Sequence, residues 1–273
     1  MSTVYENRNR MVELYLAGAS AEFAAACIGR GKDACYEALK LAGITGLLRN
    51  RRGAKYQVNL NYFDVIDTQD KAYWLGFITA DGWLSCGKLY IELQSKDREH
   101  LEKFKKAIEF TGPIMDRTQK NSCKHHKKDK YFSSRILVSS KQIVDSLIEL
   151  GLTENKSLTV TECEQVPEHL LSHYYRGIFD GDGNYGISGK YPQLRVRLVA
   201  TLPLINSFRK FIARNNVKTE SKPRLKHKNS EVYEYELGGN ILAPKVMNLL
   251  FKDAETYLDR KYNFCKQVLE GTN

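Results

Sequence analysis

One pattern occurs twice in this chain, and the rest must fold around it. Trp74-Leu-Gly-Phe-Ile-Thr-Ala-Asp-Gly82 and Tyr175-Arg-Gly-Ile-Phe-Asp-Gly-Asp-Gly183 each read as a mostly apolar helix closing in a small residue, aspartate and glycine. The same order of elements follows each copy. Strands are expected at Leu89–Ser95 and Gln193–Ala200, and helices at Leu101–Phe110 and Leu204–Ala213. Lysine-rich hairpins come next, Lys120–Lys130 and Lys222–Lys228, then strands Tyr131–Ser139 and Val232–Leu237. A further helix starts from Lys141 or Leu242, and each half closes near a lysine, Lys156 or Lys261. One Asp-Gly after an apolar run is ordinarily a turn. A doubled one that brings a whole order of elements with it points to two related halves.

The spacing inside the repeat carries a chemical consequence. Gly76 and Ala80 stand four apart on one helix face, as do Gly177 and Gly181. Small residues at that interval let two helices touch backbone to backbone. Pairing along those faces brings the helix ends together and makes Asp81 and Asp182 neighbours. Gly82 and Gly183 are expected to close the helices in left-handed caps. Two carboxylates at the negative ends of two helix dipoles repel. A hard divalent cation reverses the sign, binding carboxylates and backbone carbonyls, here those of Ala80 and Gly181. Such an ion polarises phosphoryl oxygens and activates water, the chemistry of phosphodiester cleavage.

Competing metal readings fail on their spacing. Asp180-Gly-Asp182-Gly-Asn184 begins like a calcium loop, but Tyr185 takes the obligatory glycine position and Tyr191 the bidentate glutamate position. Cys123, His125 and His126 have no second ligand pair at finger spacing and read as a lysine-rich loop. The formal charge of +10 favours a polyanionic partner. With mean hydropathy of −0.46 and no apolar run near the ~20 residues of a spanning helix, the membrane reading weakens and nucleic acid is the expected partner. Met1–Arg10 is polar and the six cysteines form no C-x-x-C pair, so a cytoplasmic protein with reduced thiols is expected.

Ahead of the repeat, residues 8–42 read as three short helices broken by glycines. Met11, Leu14, Tyr15 and Leu16 lie at helical spacing, Ser20 is a cap for the second stretch, and Lys32–Ala42 would turn Cys35, Tyr36, Leu39 and Ala42 to one face. Three helices with a glycine turn before the last resemble helix-turn-helix modules, and Arg30, Lys32 and Lys40 suit DNA there; any small trihelical bundle shows the same pattern. The stretch containing Arg51 and Arg52 is a basic connector, either tracking a phosphate backbone or simply solvated.

The doubled segments resemble the two copies of the LAGLIDADG signature in single-chain homing endonucleases, over roughly 62–266. The resemblance implies an α+β fold of two pseudo-symmetric αββαββα halves joined through the motif helices, behind a small all-α module. The divisions are 1–50 (helix-turn-helix-like module), 51–66 (basic linker), 67–165 (first half) and 166–273 (second half). It implies Asp81 and Asp182 as magnesium ligands, with manganese a substitute, Lys156 and Lys261 as basic residues assisting at the site, and Gln94 as the polar residue that positions water. Thr79 stands where the signature has its first aspartate, a position that binds no metal and that Asp180 keeps in the other half. The sheets are expected to face the major groove of a long, partly asymmetric duplex site. Tyr90, Glu92, Gln94, Arg135, Gln193, Arg195 and Arg197 would read bases, and Lys124, Lys127, Lys128, Lys222, Arg224, Lys226 and Lys228 would hold phosphates. A chain with both halves should act as a monomer. The rival readings are a regulator without cleavage on the same scaffold and a maturase that binds its host intron RNA. An intein is disfavoured, because no splicing block precedes the motifs and Glu270-Gly-Thr-Asn273 lacks a closing His-Asn pair.

Overall fold

A computed structural model of the chain describes residues 2–17, 19–42, 55–120, 130–153, 163–188, 192–227 and 231–271. These fall into two compact units, Met1–Lys55 and Tyr56–Asn273.

The small unit has three helices, α1 (Ser2–Leu16), α2 (Ala21–Ala26) and α3 (Lys32–Leu41). The Ser20 side chain caps α2, accepting from Phe23 N–H at 3.1 Å. Its core is Met11, Tyr15, Ala21, Ala24, Ala25, Cys35, Ala38 and Leu39. The third helix buries Cys35, Ala38 and Leu39, whereas Tyr36 and Ala42 are exposed. The expected face was therefore drawn one step off, because α1 and α2 meet α3 along the i, i+3, i+4 row that starts at Cys35.

The large unit contains two halves of like order. The first runs α4 (Gln69–Asp81), β1 (Gly82–Ser85), β2 (Lys88–Gln94), α5 (Arg98–Ala107), β3 (Ile114–Lys120), β4 (Lys130–Val138) and α6 (Lys141–Glu149). The second runs α7 (Leu171–Asp182), β5 (Gly183–Ser188), β6 (Gln193–Thr201), α8 (Leu202–Arg214), β7 (Arg224–Leu225), β8 (Val232–Gly238) and α9 (Leu242–Phe251), followed by α10 (Asp259–Gly271). Each half is αββαββα with a four-stranded antiparallel sheet, in the orders β1-β2-β4-β3 and β5-β6-β8-β7. Alternation decides the faces: Leu89, Ile91 and Leu93 of β2, and Leu194, Val196 and Leu198 of β6, are buried beneath the helices.

Residues 56–66, expected as the tail of the linker, pack on this unit instead. Gln57 and Thr111 exchange hydrogen bonds, Asn59 N–H donates to the Ile108 carbonyl at 2.8 Å, and Tyr62, Phe63 and Ile66 enter the core. Three apolar side chains in that short stretch favour burial over solvation.

Helices α4 and α7 form the seam. Ala72 through Thr79 are buried in succession, and Tyr174 through Asp180 likewise, so both helices are enclosed all round. A Cβ on Gly76 would lie 1.9 Å from the Tyr174 carbonyl oxygen, and one on Gly177 2.1 Å from that of Tyr73. The backbones are in contact at these two glycines.

Candidate active site and nucleic-acid interface

The seam delivers both motif aspartates to one end. Asp81 is the last residue of α4, partly exposed, and Asp182 the last of α7, exposed. A Cβ on Gly181 would stand 2.4 Å from Ala80 Cβ and 3.2 Å from the Asp81 carboxylate, so the two helix ends touch. Neither helix ends in a left-handed cap. Gly82 (φ −79°, ψ 158°) and Gly183 (φ −86°, ψ 163°) are extended and open β1 and β5. The expectation of αL caps is thus corrected. Glycine is required for space, since a Cβ would meet the Ile78 carbonyl oxygen at 2.9 Å or that of Phe179 at 2.6 Å.

Lys261, in the first turn of α10, is buried, and its Nζ reaches the end of α7. It donates to the carbonyls of Phe179 (2.6 Å), Asp180 (2.7 Å), Gly181 (3.3 Å) and Gly183 (2.6 Å). An ammonium at a helix C-terminus satisfies orphan carbonyls and opposes the dipole. Burial lowers its pKa to about 8, against the attraction of Asp180 and then of Asp81 and Asp182. The two motif carboxylates thus act on one cation. Its matching residue Lys156, and Lys124, Lys127, Lys128, Lys228, Arg51 and Arg52, lie outside the described residues. Carboxylates and carbonyls at these touching ends form an all-oxygen donor set that fits a hard divalent cation. Asp81, Asp182 and the carbonyls of Ala80 and Gly181 are the groups that could hold it, the Gly181 carbonyl also accepting from Lys261 Nζ.

Behind the aspartates lies a buried polar chain that residue spacing did not reveal. Tyr73 Oη donates to Asp180 Oδ2 at 2.8 Å and lies 2.9 Å from His100 Nε2; Leu258 N–H also donates to Asp180 Oδ2 at 2.7 Å. Burial pushes the Asp180 carboxyl up to about 6 despite the Lys261 charge, and burial pushes His100 down to about 3, helped by the charges of Lys103, Arg260 and Lys261. A neutral His100 can donate from Nε2–H to the Tyr73 oxygen, which leaves the tyrosine proton for Asp180. Arg176, fully buried, lies over the Tyr73 ring at 5.4 Å and donates to the carbonyls of Leu250 and Thr256. Thr79 turns back to the Leu75 carbonyl at 2.8 Å, so its side chain joins its own helix where Asp180 bridges the halves.

The solvent faces of the sheets carry the residues expected to read bases, though not as free side chains. On the first, Glu92 accepts from Arg135 Nε (2.7 Å), Arg117 Nη1 (3.2 Å) and Ser133 Oγ (2.5 Å). Burial alone would raise the Glu92 pKa; hydrogen bonds from Ser133 and Arg135 with the charges of Arg135 and Arg117 outweigh it and hold it low. Trp83 and Tyr90 stack at 4.9 Å, and Arg135 lies over both. On the second sheet, Glu236 accepts from Arg195 Nη1 (2.5 Å) and from Arg197 Nε (3.0 Å) and Nη2 (2.7 Å). Gln94, Gln193, Lys222, Arg224, Lys226 and, in the small unit, Lys32 are exposed. Arg117, Glu234 and Glu236 were missed at the level of sequence, because opposed charges on different strands gain meaning only once the register is known.

Part of this helix seam and its sheet falls within a stretch that matches a known family model. Residues 68–150 match the family model described as a LAGLIDADG-like domain. That match spans the first half, from the cap of α4 through α6, and the second half repeats its order of elements. No curated protein matches the chain in sequence. Among solved structures, the LAGLIDADG meganuclease I-AabMI bound to uncleaved DNA aligns with a TM-score of 0.47 at 14% identity, over 73% of this chain and 90% of that one. The LAGLIDADG homing endonuclease I-LtrWI bound to target DNA gives 0.46 at 15% identity, over 78% and 91%. I-SmaMI bound to an uncleaved DNA target in the presence of calcium ions gives 0.45 at 14% identity, over 74% and 91%. Among the described residues, no helix is long and apolar enough to cross a membrane.

Proposed function

We propose that the chain is a sequence-specific, divalent-metal-dependent endonuclease that hydrolyses one phosphodiester in each strand of a long, partly asymmetric DNA site. The observation that carries this reading is the contact of Gly181 with Ala80 and the Asp81 carboxylate, which puts one acid from each half at a shared end. Asp81 and Asp182 hold the metal, with the Ala80 and Gly181 carbonyls as further donors. When bound, magnesium or manganese supplies Lewis-acid polarisation and an acidified water. Lys261 keeps the end of α7 in place and adds positive charge beside the aspartates, and Lys156 is its counterpart in the first half. Gln94 orients water. The sheets read base edges through Tyr90, Arg135, Gln193, Arg195 and Arg197, with Glu92 on the same surface, while Lys222, Arg224, Lys226 and the other hairpin lysines hold phosphates. One chain supplies both acids, so it acts as a monomer; the small unit adds a helix-turn-helix contact through Lys32, and Arg51 and Arg52 track the backbone between. A cytoplasmic setting and a role in intron homing belong to this reading.

The test is magnesium-dependent cleavage of a plasmid library of randomised or host-derived sites, comparing the native chain with Asp81→Asn and Asp182→Asn. Linear product from the native chain, reduced to nicking or abolished in either variant, is expected. Tight, salt-sensitive DNA binding with no cut in magnesium or manganese sinks the nuclease reading and leaves a DNA-binding regulator; preference for intron RNA over duplex DNA points to a maturase.

A further inference from the structure

We infer that an arginine–glutamate clamp on each sheet selects a guanine, with Glu92 and Glu236 as positioning residues, and that the two guanines lie at non-mirror positions in the target. The inference rests on the proposed reading of DNA by the sheets.

Each clamp has one carboxylate with both oxygens engaged. Glu92 Oε1 takes Ser133, while Oε2 takes Arg135 and Arg117; Glu236 Oε1 takes Arg195, while Oε2 takes Arg197. In both, a glutamate faces an arginine across one rung of the ladder, Glu92 opposite Arg135 and Arg197 opposite Glu236. A guanidinium has five N–H donors; Arg135 gives Nε and Nη2 to Glu92, and Arg197 gives Nε and Nη2 to Glu236 with its Nη1 3.6 Å from Glu234, so each clamped fork keeps N–H groups for a further acceptor. Guanine O6 and N7 match that fork. Holding the fork costs a loose arginine rotamer entropy. Here the glutamate has already fixed the plane, and in the first clamp the Trp83–Tyr90 stack supports Arg135 from another side. The carboxylate also repels phosphates, which biases these arginines toward base edges rather than backbone.

Register breaks the symmetry. Gly82 opens β1 opposite Ile91, which pairs with Ile136; Gly183 opens β5 opposite Leu198, which pairs with Tyr235. These are equivalent rungs. The Glu92–Arg135 rung is the next one away from the β1–β2 turn, and the Arg197–Glu236 rung is the next one toward the β5–β6 turn. The displacements have opposite senses and amount to two rungs, roughly 7 Å at about 3.4 Å per residue. The strand order of the charges is exchanged as well, with glutamate on β2 in one half and on β8 in the other. Equivalent distances from the centre of the target are therefore not available to the two clamps.

The test uses the full chain in equilibrium selection from a randomised duplex library without divalent metal, so that it reads binding alone. The native chain should require a guanine in each half-site, at distances from the centre that differ by about two base pairs, taking about 3.4 Å per base step. Glu92→Gln should lower that preference about tenfold in one half-site only, and Glu236→Gln in the other only, with low-salt affinity equal or tighter. Arg135→Lys, which keeps the charge and removes the fork, should lose the same preference as Glu92→Gln. Preferences unchanged in the glutamine variants, lowered alike at every position, or placed at mirror positions in the native chain would overturn the inference while leaving DNA reading intact. A native chain with no base preference anywhere overturns the DNA reading itself.

Discussion

Lys261 and His100 illustrate how burial changes what a titratable side chain does. Four carbonyls surround Lys261 Nζ, from Phe179 to Gly183, and the side chain is 6% exposed. Lys261→Met keeps much of the volume and leaves those carbonyls unpaired in the interior. A loss of about 3 kcal/mol in folding stability is expected, measured by urea denaturation. An unchanged midpoint would mean that water replaces the ammonium at no cost. His100 is held neutral, with a pKa near 3 against an ordinary value of 6.5. Because the unfolded chain takes up that proton first, stability should be full above about 6.5 and fall as the pH drops toward 3. His100→Phe should be less stable at neutral pH but lose this limb of the acid dependence, read from denaturation curves across the pH range.

At the level of helices and strands, contact between α4 and α7 is decided by the absence of two side chains. Gly76→Ala and Gly177→Ala would each drive a methyl group into opposing backbone, which has no rotamer with which to yield. Each is expected to cost on the order of 3 kcal/mol or more, and their effects should not add, since both pry apart one seam. Gly87, at the turn between β1 and β2, is a useful contrast. It has φ of +69° and open space where a Cβ would go, so Gly87→Ala should cost only about 1 kcal/mol, from the left-handed backbone alone. Thermal melts of the three variants separate crowding from conformational strain.

For the whole molecule, each unit has its own core, a buried cluster that includes Cys35 and Leu39 in the small one and the enclosed seam in the large one. The fragment 56–273 should therefore fold cooperatively without residues 1–55, and under the proposed function it should retain magnesium-dependent cutting. Its DNA affinity should be weaker and its dependence on log salt shallower than that of the full chain, by about one unit of slope for every phosphate that residues 1–55 neutralise. Equal slopes would argue that the small unit touches no phosphate.

Local order and its doubling were legible because they follow from periodicity that neighbouring residues impose: apolar faces at helical spacing, alternation in β2 and β6, Ser20 as a cap. The pairing of the motif helices was legible too, since glycine at the contact is a steric requirement written at fixed intervals. Strands β1, β3, β5 and β7 were not placed, being short or edge strands whose polar residues carry little alternation. Gly82 and Gly183 were given the wrong reason, because local chain chemistry cannot tell a left-handed cap from an extended residue squeezed by its own helix. Asp180 reaches Tyr73 and Leu258, Lys261 reaches the end of α7, and the arginine clamps form across strands. Each of these joins residues far apart in the chain, and their energies depend on distance and burial that exist only after the halves close. Repetition and side-chain size thus settled the motif helices, the two central strands of each sheet and how the seam packs, while tertiary contact alone decided where the edge strands run, which charges meet and what each one holds.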